Sequence, residues 1–108
     1  MTQYYEGIGR RKESIARVRL MTGSGKFTVN EKDGPAFFTR MGDFEDILRP
    51  FGVVGQEATK YDVSVHVNGG GTTGQTESVR LGIARALQLI NAEWTSALRK
   101  KGLLTRDA

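Results

Sequence analysis

Val67-Asn68-Gly69-Gly70-Gly71-Thr72-Thr73-Gly74-Gln75-Thr76-Glu77-Ser78-Val79-Arg80 decides the fold, because it leaves a strand through three consecutive glycines and enters a helix at once. Upstream, Tyr61, Val63, Val65 and Val67 alternate with Asp62, Ser64, His66 and Asn68, the two-residue period of a half-buried strand. Downstream, Val79, Ile83, Leu87 and Ile90 recur at helical spacing over residues 73 to 90, with Gly82, Ala84 and Ala86 small enough for close packing. Glycine tolerates positive φ and lets backbone approach a ligand closely. The first turn of a helix adds unpaired N–H groups and the positive end of the helix dipole. Thr72 and Gln75 match the S/T-x-x-E/Q capping box, which predicts the start of the helix there. The junction is therefore a candidate phosphate site, and its structural alternative is a tight left-handed exit from the strand.

Residues 69 to 76 fit the nucleotide-binding loop G-x-x-x-x-G-K-[ST] at every defined position except Gln75, which stands where lysine belongs. Without that cation nothing reaches the β and γ phosphates, which argues against NTP hydrolysis. A second candidate, Gly23-Ser24-Gly25-Lys26, fails at Leu20 and Phe27 and is read as a hairpin turn between strands.

A length of 108 residues predicts one domain, residues 1 to 108, with a single modest core. The absence of cysteine excludes disulfides, thiol nucleophiles and cysteine metal sites. No apolar run approaches the roughly 18 residues of a membrane span, and Met1-Thr2-Gln3-Tyr4-Tyr5 does not open a signal peptide, so a soluble cytoplasmic protein without a membrane partner is expected. Net charge is +4 and unevenly spread. Arg10, Arg11, Lys12, Arg17, Arg19 and Lys26 face only Glu6 and Glu13 in the first segment, residues 27 to 66 are net acidic, and residues 67 to 108 are basic again. If the two basic ends meet in space they form a positive face, the footprint of a polyanion partner.

Residues 14 to 20 alternate with Ala16, Val18 and Leu20 on one side and Arg17 and Arg19 on the other, a strand with a basic outer face. Residues 4 to 12 supply a preceding strand that turns through Gly9-Arg10-Arg11-Lys12, and residues 26 to 30 a short third one, so that three antiparallel strands open the chain. Asp33-Gly34-Pro35 leads into a short helix over residues 36 to 41, and Asp43 caps another that Pro50 and Gly52 stop. Asp43, Glu45 and Asp46 resemble a metal cluster on paper, but acids in a first helical turn complement the helix dipole, and no metal is expected. His66, the only histidine, falls on the polar face of its strand with no cysteine or second histidine to complete a metal site, and is read as a surface residue. Asn91 caps a last helix over residues 92 to 101 that buries Trp94, Ala97 and Leu98 and ends at Gly102. The order β-β-β, short helices, β, glycine loop, α, α reads as an α+β sandwich, a mostly antiparallel four-stranded sheet with helices packed on one face.

Six segments carry a resemblance: Gly7-Ile8-Gly9-Arg10-Arg11-Lys12-Glu13-Ser14-Ile15-Ala16-Arg17-Val18, Phe27-Thr28-Val29-Asn30, Tyr61-Asp62-Val63-Ser64-Val65, Gly69-Gly70-Gly71-Thr72-Thr73-Gly74-Gln75, Gly82-Ile83-Ala84-Arg85-Ala86-Leu87 and Leu103-Leu104-Thr105-Arg106-Asp107-Ala108. Together they resemble the bacterial-type ribosomal protein S9 family of the small subunit, nearly end to end, with residues 31 to 56 only loosely similar. The resemblance implies a ribosomal protein S5 domain 2-like fold with a left-handed β-α-β crossover, an exception to the usual hand. It further implies no catalysis, no cofactor, and binding of 16S-type rRNA in the subunit head beside neighbouring small-subunit proteins. Family members continue into a basic C-terminal tail that reaches toward P-site tRNA, and this chain stops at Ala108, so a tRNA contact is expected only through such a tail.

Under this reading Arg10, Arg11, Lys12, Arg17 and Arg19 neutralise phosphates, with Arg80, Lys100, Lys101 and Arg106 as further basic contacts. Backbone amides of Gly69, Gly70 and Gly71 approach the RNA, and Thr72, Thr73 and Gln75 hydrogen-bond phosphate or 2′-hydroxyl groups. The competing expectation is a small phosphate-binding domain of the kinase type using the loop of residues 69 to 74.

Overall fold

In the computed structural model, which describes residues 3–104, two strands open the chain. β1 (Tyr5–Arg11) and β2 (Ser14–Thr22) form an antiparallel hairpin whose two turn residues, Lys12 and Glu13, both have positive φ, 50° and 67°. β3 (Phe27–Val29), β4 (Lys32–Asp33) and β5 (Tyr61–Asn68) complete a sheet of order β1-β2-β5-β3-β4.

Two strand expectations need correction. The sheet has five strands rather than four, because Lys32–Asp33 pairs with β3 across an Asn30–Glu31 turn, and two residues are too short to show a period. The opening strands are also not three antiparallel neighbours: β3 runs parallel to β5, and β5 lies between it and β2. Side chains hold that arrangement. The Asp62 carboxylate accepts from the amides of Ser24 and Lys26, both at 3.0 Å, so residues 23 to 26 wrap onto the start of β5 instead of closing a hairpin. At the other end the Asn30 side-chain amide donates to the Val67 carbonyl and accepts from its N–H, at 3.0 and 2.9 Å, continuing the ladder beyond β3.

The helical elements are α1 (Gly34–Phe37), α2 (Asp43–Val53), α3 (Thr72–Ile90) and α4 (Thr95–Lys100), with 3-10 turns at Ala58–Lys60 and Ala92–Trp94. Pro50 lies inside α2 and Pro35 in the first turn of α1. The expected last helix divides into a 3-10 turn and α4; its Asn91 cap forms as read, with Oδ1 accepting from Glu93 N, and Leu98 is fully buried. All helical packing is on one sheet face, where Ala16, Val18, Leu20, Val63, Val65 and Val67 meet Val79, Ile83, Ala86 and Leu87. α3 lies directly on β1. A Cβ added at Gly9 would stand 1.9 Å from the Ser78 carbonyl oxygen, and one at Gly7 2.1 Å from that of Gly82. The opposite face stays open, with Arg10, Ile15, Arg17, His66 and Asn68 exposed.

Candidate nucleic-acid interface

β5 delivers the chain to Gly69 and Gly70 at φ 76° and 67°, whereas Gly71 is extended and precedes the first residue of α3. The two left-handed glycines fold against the β1–β2 turn. A Cβ on Gly69 would lie 2.5 Å from the Glu13 carbonyl oxygen, and one on Gly70 2.8 Å from that of Lys12. Gly74, one turn into the helix, faces the Arg11 carbonyl oxygen at 3.1 Å in the same sense. The glycines thus have a packing role, and that packing brings Arg10, Arg11 and Lys12 beside the positive end of α3.

The capping box does not form. Gly71 occupies the cap position and no side chain closes it. Gln75 instead turns its amide back on the loop, Nε2 donating to the Gly69 carbonyl at 3.2 Å. An extended glycine directly before Thr72 starts the helix one residue earlier than the motif requires. Thr73 Oγ1 accepts from Arg40 at 3.0 Å, and the same guanidinium bonds both Asp43 oxygens, at 2.8 and 3.1 Å. Arg40 therefore stands fixed at the mouth of the loop, where no sequence signal pointed: it is 33 residues from Thr73 and belongs to no periodic pattern.

The other basic residues divide by what they touch. Arg10, Lys12 and Arg17 are exposed. Arg11 donates Nε to Glu77 at 3.2 Å, with both side chains only about a fifth exposed, and so joins β1 to α3. Arg80 bonds Asp46 at 2.7 Å and joins α3 to α2. Arg19 pairs with Glu6 at 3.0 Å and lies 4.8 Å over the Tyr4 ring; the Glu6 hydrogen bond is the main reason its pKa is raised. Lys100 and Lys101 are exposed at the end of α4, and among the described residues the structure shows no contact between them and the loop. Arg106 lies outside the described residues.

Asp43, Glu45 and Asp46 sit in the first turn of α2; Asp43 and Asp46 are paired with Arg40, Arg49 and Arg80, and no group that could hold a metal ion occurs among the described residues. No helix is long and apolar enough to cross a membrane among the described residues. The site is thus a glycine loop packed on a basic turn, next to an open basic sheet face.

A family model described as ribosomal protein S9/S16 matches residues 9–108. The chain is 52% identical over 101 residues to the small ribosomal subunit protein uS9 of Cytophaga hutchinsonii, a match covering 94% of this chain and 78% of that protein. It is 47% identical over 104 residues to the protein of the same name from Gloeothece citriformis, covering 95% of this chain and 75% of that one. The chain belongs to the ribosomal protein S9/S16 family. It is accordingly a structural protein and not an enzyme, and the kinase-type expectation has no support.

Proposed function

We propose that the chain is a structural constituent of the small ribosomal subunit that binds small-subunit rRNA in the head, beside neighbouring small-subunit proteins. The carrying observation is the seat of Gly69 and Gly70 on the Lys12–Glu13 turn, which gathers exposed arginine and lysine with the first amides of α3. In this reading residues 1 to 108 act as one domain. Arg10, Lys12, Arg17 and Arg19 neutralise phosphates, and the helix-start amides with Thr72 and Thr73 bond phosphate or 2′-hydroxyl oxygens. Arg11 and Arg80 contribute charge from positions their carboxylate partners hold, while Lys100 and Lys101 serve a separate contact. A P-site tRNA would be met only through a basic C-terminal tail. The finer topology belongs to the same reading: the chain passes from β3 to the parallel β5 through β4, α1 and α2, and the left hand of that crossover is what the family resemblance implies.

Titration of the chain with a transcript of the head rRNA at several salt concentrations tests this. Neutralising about four to six phosphates gives log K against log salt a slope of roughly −3 to −5. A slope near zero would remove the electrostatic basis of the proposal.

A further inference from the structure

The open sheet face carries a pattern that phosphate neutralisation alone does not use. Register places side chains in rows across three strands: Asn68, Ile15 and Arg10; then His66, Arg17 and Ile8; then Ser64, Arg19 and Glu6. In these three rows the arginines meet one carboxylate, Glu6, already engaged by Arg19 at 3.0 Å and Arg17 at 4.0 Å, while Asp62 in the next row, opposite Met21, is held by the Ser24 and Lys26 amides. Ile15, Arg17, Arg19, His66 and Asn68 line a shallow groove along β2 and β5. Between the cations lie apolar and planar groups. Ile15 is 45% exposed, Tyr4 46%, and the Tyr4 ring stacks with the Arg19 guanidinium. A surface meeting only a duplex backbone has no use for an exposed isoleucine in its middle. An unpaired strand does, because it presents phosphates and base faces together.

We infer that this face is a platform for an unpaired rRNA strand, distinct from the loop contact, with Arg10, Arg17 and Arg19 on phosphates and Ile15 and His66 against bases. The inference rests on the RNA-binding reading above and adds the kind of RNA the face takes. Asn68 ends β5 and leads straight into Gly69, so a strand lying on the platform continues onto the loop without a break.

The test uses the whole chain with three RNAs: the head transcript, an unstructured uridine strand of about ten nucleotides and a blunt duplex of equal length. The strand is expected to bind more tightly than the duplex. Ile15→Thr combined with His66→Ala, both at exposed positions and with β-branching kept in β2, is expected to weaken the strand and the transcript about tenfold while leaving the salt slope unchanged, because no phosphate partner is removed. A photoreactive 4-thiouridine strand is expected to cross-link to the unaltered protein within β2 or β5, a readout independent of any substitution. Duplex bound as well as strand, or cross-links confined to other elements, would overturn the platform. So would a double variant that keeps its RNA affinity but no longer binds neighbouring small-subunit proteins, which would make the face a protein interface. Normal transcript binding that depends on Arg10 but not on Ile15 and His66 sinks only the platform, whereas no binding to any of the three RNAs sinks the reading beneath it.

Discussion

Gly9 shows how a single residue acts at two levels. In sequence it is one glycine in a basic turn motif; in the fold it is the point where α3 touches β1, with Ser78 and Gly82 backbone where a Cβ would stand. Gly9→Ala is therefore expected to cost about 1 to 3 kcal/mol or more, read as a fall in the urea midpoint at unchanged slope. Gly70 differs in kind, because its positive φ and the Lys12 carbonyl both exclude a side chain. Gly70→Val is expected to lose about 1 to 3 kcal/mol of stability together with RNA affinity, and unchanged rRNA binding in a folded variant would count against the loop contact. Arg10 and Arg11 are adjacent and identical in type, yet only Arg11 has a half-buried carboxylate partner. Arg10→Ala is expected to reduce the salt slope by about one with the same thermal midpoint. Arg11→Ala is expected to lower stability as well, by about 1 to 2 kcal/mol, since Glu77 then keeps a poorly solvated charge. Equal thermal midpoints for the two variants would dismiss that distinction.

Among elements, the turn of residues 23 to 26 depends on one carboxylate. Hydrogen bonds from the Ser24 and Lys26 amides hold the Asp62 carboxyl below the usual aspartate range. A depressed folded pKa stabilises above the unfolded value and is lost as pH falls through the folded one. Amide exchange at Ser24 and Lys26 should therefore quicken relative to the sheet core only as pH drops below about 4. In Asp62→Asn that acid-specific change should vanish, and a turn equally protected at all pH values would refute the role. The start of α3 offers the second element-scale test. Gln75→Lys completes the nucleotide-loop pattern in sequence, but the loop is packed on Lys12 and Glu13, and no group that could hold a metal ion occurs among the described residues. No Mg²⁺-dependent ATP turnover is expected, and measurable turnover would contradict the reading of this loop as an RNA contact.

For the whole molecule, helices and sheet share one core, and ion pairs such as Asp46–Arg80 and Arg11–Glu77 cross between elements. Unfolding in urea is expected as one cooperative transition with a slope of about 1 to 3 kcal/mol per molar, equal by fluorescence of Trp94 and by circular dichroism. Two separated transitions would mean that α2 and α4 form a unit apart from the sheet and α3. The charge asymmetry becomes meaningful at this scale. β2 and β5 are neighbours, and the glycine loop rests on the first hairpin, so the basic N-terminal segment meets the start of the C-terminal one. Lys100 and Lys101, basic in the same sequence segment, lie at the end of α4 and not on the hairpin or the loop.

Alternation in residues 14 to 20 and 61 to 68, and helical spacing after Thr72, were sufficient by themselves to determine the hairpin, the central strand, the main helix and the basic hairpin turn. These patterns are local, and side-chain direction repeats with the backbone period. The family motif likewise lay in consecutive residues. What only the tertiary structure decided is who stands next to whom: β5 between β2 and β3, a two-residue β4, Arg40 at the loop mouth, and glycines 69 and 70 seated on Lys12 and Glu13. Strand order follows from contacts such as Asp62 with the turn of residues 23 to 26 and Asn30 with Val67, between groups more than 30 residues apart. No periodicity records such pairings, because they arise from the burial of two distant segments against one helix face.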